Sequence, residues 1–278
     1  YEKNYGDRWI VMLLTICYMI YPTINRKVFD GVSCRAGLLE GDARSYLWED
    51  LNISCTSSAH LIYIMLVSLP GLILFILGYP LVSLYYLKQR LKKRGWTNDT
   101  TMFRFAIMIS GYREGKWFWE GMLFLRKSLL IMTAVFLKNY GTERQFIFAS
   151  LVIVLATVFQ IRERPFSNDE LNTLENFGLG ILFVTLYSGL FFFWDLLNDD
   201  GKTILGWLII GVNVSYMLWI SGALLREYLA RHSSKVTGCL TKQCHTENPV
   251  LLCFLAIPFF VLLIFIKAFT YLLYFLTC

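Results

Sequence analysis

An all-α fold, a polytopic membrane helix bundle with six or seven transmembrane helices, is predicted by composition and by the spacing of apolar runs. Of the 278 residues, 56% are hydrophobic and 17% charged, too little polar side chain to clothe a compact water-soluble body of this size. The apolar residues gather in runs that meet or approach the roughly 20 residues, at about 1.5 Å each, needed to cross about 30 Å of hydrocarbon. Aromatics reach 17%, and many stand at the ends of those runs, where interface belts form.

Taken in order, the first run covers residues 9–21 and is expected to stop at Pro22. The second, 59–87, carries Pro70, Gly71, Gly78 and Pro80, which predict a kink or a broken helix. The third has to cover 118–137 in spite of Glu120, Arg126 and Lys127, because 128–137 alone is half a span. The fourth, 145–161, and the fifth, 176–194, are joined by a polar connector interrupted by Pro165. The sixth runs over 203–225. A last run, 249–278, holds Pro258 and Lys267 and reads as a seventh span, a re-entrant segment or an interfacial helix. Residues 1–234 are thus expected to form a bundle with an outer loop at 22–58, and 235–278 a cytoplasmic link followed by the last apolar helix. The chain starts at Tyr1 with no secretory leader, so it is expected to be a portion of a longer protein.

Charge orients the bundle. With the connection 88–116 inside, eighteen Lys and Arg fall on the cytoplasmic side against seven outside, Lys267 left aside, as the positive-inside rule requires. The basic residues lie in short connections and form no continuous face, which argues for topology and against nucleic acid. In this orientation the first connection is outside, where Cys34 and Cys55 meet an oxidising compartment and a disulfide is expected. Asn52, in Asn-Ile-Ser, becomes a reachable glycosylation acceptor. Asn98, cytoplasmic, and Asn213, in the sixth span, should carry no sugar. Cys239 and Cys244, with His232 and His245, match no zinc-ligand spacing and read as free or palmitoylated thiols.

Ionisable residues at membrane depth are costly unless paired or wetted. The stretch 111–127, read as a helix, sets Arg113, Lys116, Glu120 and Lys127 near one face. A polar track or gating hinge is one reading. The other is a snorkelling interface helix whose charges pair with Glu170 or Glu175. Glu120, Arg126, Lys127 and Glu175 are the candidate intramembrane charge cluster. Thr185, Tyr187 and Asn213 are candidate polar contacts between helices. The link 195–202 is acidic and too short for a pore helix with a selectivity filter. No phosphate-cradling loop, nucleophile elbow or paired metal-binding histidines are present, so no enzymatic activity, cofactor or metal is expected. The lipid bilayer and extracellular or membrane proteins are the partners expected.

Several stretches carry a resemblance: Ile20-Tyr-Pro-Thr-Ile24 with Phe29 and Cys34, Tyr46-Leu47 through Asp50, Ile53 and Cys55 to His60, and Leu77-Gly-Tyr-Pro80. Gly111-Tyr112, Trp119-Glu120 with Arg126-Lys127, Val135-Phe136-Leu137, Pro165-Phe166 and Leu171-Asn-Thr-Leu-Glu175 leading to Thr185-Leu-Tyr-Ser-Gly-Leu-Phe191 extend it. In this series the chain resembles the transient-receptor-potential-like, polycystin-related transmembrane module at the C-terminal end of large ciliate, oomycete and algal membrane proteins with extracellular EGF-like or polymorphic outer-membrane-type repeats. The resemblance implies a multi-pass protein of the plasma or ciliary membrane, channel-like or sensory, preceded by a large ectodomain. The short 195–202 link favours the alternative, a non-conducting anchor for an extracellular or ciliary-surface assembly.

Overall fold

The computed structural model describes residues 5–36, 45–96, 98–109, 111–194 and 197–239. Helix α1 (Tyr5–Asp30) leads into a hairpin of β1 (Cys34–Ala36) and β2 (Ser45–Leu47). A continuous helical rod, Ser58–Arg94, follows; α2 (Ser58–Tyr63) and α3 (Tyr79–Arg94) are its ends, and π-helical turns Ile64–Ser68 and Gly71–Gly78 lie between. Short helices α4 (Asp99–Arg104) and α5 (Ala106–Ile109) precede α6 (Trp119–Phe136), which runs into a 3₁₀ turn, Leu137–Tyr140. Then come α7 (Thr142–Glu163), α8 (Asp169–Phe193) and α9 (Asp199–Cys239). The chain is thus mostly helical, and five of its helices are long and apolar enough to cross a membrane: α1, the 58–94 rod, α7, α8 and α9. At 18 residues, about 27 Å, α6 has nearly the length, but Glu120, Arg126 and Lys127 put three charges inside it, whereas each of the others offers an 18-residue stretch with no more than two.

The chain divides into residues 1–190 and 191–278. In the first unit, α1, α6 and the π-helical region of the rod build the core. One cluster joins Tyr21, Leu87, Phe105, Met108, Ile109 and Phe124; a second joins Val28, Phe29, Ile76 and Val135. Both follow helical stripes, Tyr21, Asn25 and Val28 on α1 against Phe124, Ser128, Ile131 and Val135 on α6. Small residues permit the close approach of backbones. A Cβ on Gly71 would lie 2.7 Å from Val28 Cγ2, and one on Gly121 2.6 Å from Leu84 Cδ1.

Three local expectations are corrected. Pro22 does not end the first helix, which continues to Asp30. The lost N–H to the Tyr18 carbonyl is outweighed by burial of Asn25, Val28 and Phe29 in the turns that follow. Consequently the outer connection begins at Gly31, not at 22. The second run is not broken, since the backbone widens into π turns on either side of Pro70 and keeps the rod continuous from Ser58 to Arg94. Residues 111–118 are not helical. Gly111 and Gly115 take φ +89° and +88°, so the one-face alignment of Arg113 and Lys116 with Glu120 does not form.

The outer hairpin pairs Cys34 with Leu47, Arg35 with Tyr46 and Ala36 with Ser45. As expected, a disulfide joins Cys34 to Cys55. The second unit contains α9, whose first turn holds Asp199 and Asp200, acidic groups that suit the positive end of a helix dipole. The last apolar run, 249–278, with Cys244 and His245 before it, lies outside the described residues.

Candidate functional site

Two polar layers interrupt the apolar packing of α1 against α6. The outer layer is a directed chain. Asn25 Nδ2 donates to Ser128 Oγ at 2.9 Å, Tyr21 Oη lies 2.9 Å from the same oxygen, and Tyr21 Oη donates to the Ile76 carbonyl at 3.0 Å. Because the one phenolic proton goes to a carbonyl, Ser128 must be the donor to Tyr21. The carbonyl itself has a reason to need it: Pro80, four residues on, has no N–H to offer Ile76. Tyr21 supplies the missing donor. Its ring is held edge-on by Phe124, 4.6 Å between centroids.

About two turns toward the α6 N-terminus lies the charged layer. Glu120 is 3% exposed, and its Oε2 accepts from Tyr112 Oη at 2.8 Å. Burial, and then the Glu120 carboxylate itself, push the Tyr112 phenol far above its usual range, so it remains a donor. Lys127 Nζ donates to Tyr18 Oη at 2.9 Å and stands 4.2 Å from that ring's centroid, a cation–π contact. The other carboxylate oxygen, Glu120 Oε1, is buried with no hydrogen-bond partner among the described residues. Arg126 Nη2 reaches Glu175 Oε1 of α8 at 2.8 Å. Of the four candidate charges, Arg126 and Glu175 pair directly, whereas Lys127 bonds to Tyr18 and Glu120 to Tyr112.

The connectors at this end are bound to each other. Ser167 N donates to the Gly111 carbonyl and Arg113 N to the Pro165 carbonyl, both at 2.8 Å. Tyr112 packs on Phe166, centroids 5.0 Å apart. Arg113 bridges to Asp169 at 3.1 Å, and Lys116 pairs with Glu163. Asn172 closes the turn, its Nδ2 donating to the Phe166 carbonyl at 2.9 Å and its Oδ1 accepting from Phe166 N at 3.1 Å.

At the other end of α6 the disulfide hairpin is docked. Trp48 Nε1 donates to Asn139 Oδ1 at 2.5 Å, and Asn139 Nδ2 donates to the Cys34 carbonyl at 2.7 Å. Lys138 Nζ and Arg35 Cζ lie 4.3 and 4.8 Å from the Trp48 ring centroid. Asn52 is exposed in the return of this loop, its amide donating to Asp50. His60 is buried beside the two disulfide sulfurs, which as a disulfide offer no thiolate to a metal.

The remaining candidates are spread. Thr185 is buried and Tyr187 exposed on α8, the latter stacked on Phe183 at 6.2 Å. Asn213 donates to the Ile209 carbonyl of its own helix at 2.8 Å. Tyr18, Tyr112 and the Tyr21–Ser128–Asn25 chain did not figure among the sequence candidates. The signal for the α1 residues was present, because 18, 21, 25 and 28 repeat at helical spacing on one face; for Tyr112, on a loop, there was none.

Over 200 residues the chain is 24% identical to Cysteine repeat modular protein A of Toxoplasma gondii, covering 66% of this chain and 6% of that protein. The chain therefore spans about one-sixteenth of the length of the curated relative it matches. No family model and no solved structure matches it.

Proposed function

We propose that the chain is the channel-like or sensory transmembrane domain of a larger surface protein, related to the transient-receptor-potential-like modules it resembles, and that α6 crosses the membrane as a further span. The observation that carries this reading is the pair of attachments of α6. Its C-terminal turn is tied to the disulfide hairpin through Asn139 and Trp48, whereas its N-terminal turn is tied through Glu120 to Tyr112 on the connector clamp. An element fastened to opposite ends of the bundle, with its charges held by Glu175, Tyr18 and Tyr112, is suited to carry an outer displacement inward. Alternation with α6 included puts the N-terminus and the 95–118 connection inside and the hairpin outside, consistent with the excess of cytoplasmic Lys and Arg. The cysteine-repeat relative, far longer than this chain, supports its being part of a larger surface protein.

Planar-bilayer recording from the purified full-length protein tests the reading. A cation current altered by Glu120→Gln is the expected result. A folded protein that is electrically silent, and whose outer loop retains an extracellular partner, would return the domain to the alternative of a membrane anchor.

A further inference from the structure

At the end of the 58–94 rod the exposed surface changes character in a fixed order. Leu81 and Val82 are exposed and apolar; one turn on, Tyr85 and Tyr86 are exposed at 58% and 59%; then Lys88, Lys92, Lys93 and Arg94 are exposed and Arg90 half-buried. From Leu81 to Arg94 this covers about 20 Å along the helix. Leu87 is fully buried, and Leu91 packs on the same cluster, so the inward stripe is apolar and the cations occupy the rest of the circumference. None of the five has an acidic partner within ion-pair distance among the described residues; Lys88 rests on the Trp117 ring, 5.3 Å from its centroid. Cations in a last turn suit the helix dipole, but that effect fades within one turn and does not call for a collar that begins at Lys88, nearly two turns before the Gly95 cap.

We infer that residues 88–94 form a binding site for anionic phospholipid headgroups of the cytoplasmic leaflet. Exposed aliphatic, aromatic and cationic bands follow in the order of hydrocarbon, interface and phosphate. Five cations within seven residues, without an acidic partner among the described residues and next to a membrane helix, match the charge density that holds phosphate-bearing headgroups. The inference rests on the inward placement of residues 88–94.

The test uses the purified full chain in detergent, offered equal amounts of dioleoylphosphatidylcholine and dioleoylphosphatidylserine, with bound lipid read by native mass spectrometry. The chain should retain the serine lipid in preference. Lys92→Gln, Lys93→Gln and Arg94→Gln combined should reduce that preference about a hundredfold, from about fivefold per cation, whereas Lys92→Arg with Lys93→Arg should keep it. Raising salt from about 50 to about 500 mM should weaken it in both the native and the arginine chains, an arm that decides the matter even where the glutamine variant does not fold. A preference unchanged in the glutamine variant, or insensitive to salt, overturns the site. Displacement of the serine lipid by inositol trisphosphate at equal concentration would assign the site to a soluble phosphate and overturn the lipid assignment. Flotation of the chain with vesicles of phosphatidylcholine alone reports separately on membrane insertion, so a failure of that broader reading is told apart from a failure of the site.

Discussion

Tyr21→Phe removes one oxygen and leaves the ring, so its contacts with Phe124, Phe75 and Tyr79 are kept and the change isolates the polar chain. Two bonds are lost, the donation to the Ile76 carbonyl and the acceptance from Ser128. Hydrogen bonds between membrane helices contribute about 0.6 kcal/mol on average and up to about 1.7, so the expected loss is about 1–3 kcal/mol. Residue 80 is proline and has no N–H to offer the Ile76 carbonyl four residues back, and this gives a specific rescue. Pro80→Ala supplies an N–H four residues on and should recover about 1 kcal/mol in the Tyr21→Phe background while gaining less in the native chain. Equilibrium unfolding in mixed detergent micelles, run as a double-mutant cycle, measures both. A Tyr21→Phe cost below about 0.3 kcal/mol, or strict additivity with Pro80→Ala, would refute the role given to Tyr21.

Three further outcomes are expected. Arg126→Gln or Glu175→Gln alone should each cost about 2–3 kcal/mol in the same assay, because each leaves one charge uncompensated at membrane depth; the double change should cost at least about 1 kcal/mol less than the sum, and additivity would rule out the pair. Asn52→Gln should abolish the glycosidase-sensitive mass shift of the chain expressed in eukaryotic membranes, since the proposed orientation puts the other acceptor patterns, at Asn98 and Asn213, inside and within a span; a shift that survives the substitution would invert the orientation. Trp48→Ala should lower the local opening energy of the hairpin by about 1–2 kcal/mol, seen as faster hydrogen exchange over residues 45–57 with α7 unchanged, and equal acceleration in α7 would mean that Trp48 supports the whole bundle.

The helices were legible because hydrocarbon imposes length and apolar composition on any span, and α6 could be bounded to within a residue from Trp119 to Phe136 even with three charges in it. The Cys34–Cys55 disulfide was legible from side and spacing. Pro22 and Pro70 misled for a shared reason. A proline removes one backbone bond, but whether the helix continues depends on what the next turn buries, and Val28 and Phe29 or the π-widened rod are tertiary facts. The segment 111–118 misled because its charge spacing suits a helix, whereas two glycines of positive φ and pairing with 163–169 hold it as turns. A pairing of this stretch with Glu170 or Glu175 was anticipated; the partner that Glu175 takes is Arg126. The tyrosines that cap the other charges, Tyr112 on Glu120 and Tyr18 on Lys127, were not anticipated, since a hydroxyl contact leaves no periodic trace when one partner sits on a loop.

These contacts also indicate where the first unit can give way. The hairpin is held covalently by Cys34–Cys55 and by Trp48 on Asn139, and the inner connectors are held by two backbone bonds and two ion pairs. Between these ends α6 faces π-helical turns, whose backbone bonding is already rearranged and which recur at functional sites in other helices. A force on the hairpin would therefore meet stiff fastenings at both ends and a softer middle at the Tyr21–Ser128 layer. A shift of α6 along its axis would strain the Ser128–Tyr21 and Lys127–Tyr18 bonds together, and loss of either leaves a buried donor or charge without its partner, a cost that favours the present seating of α6 over a continuous slide.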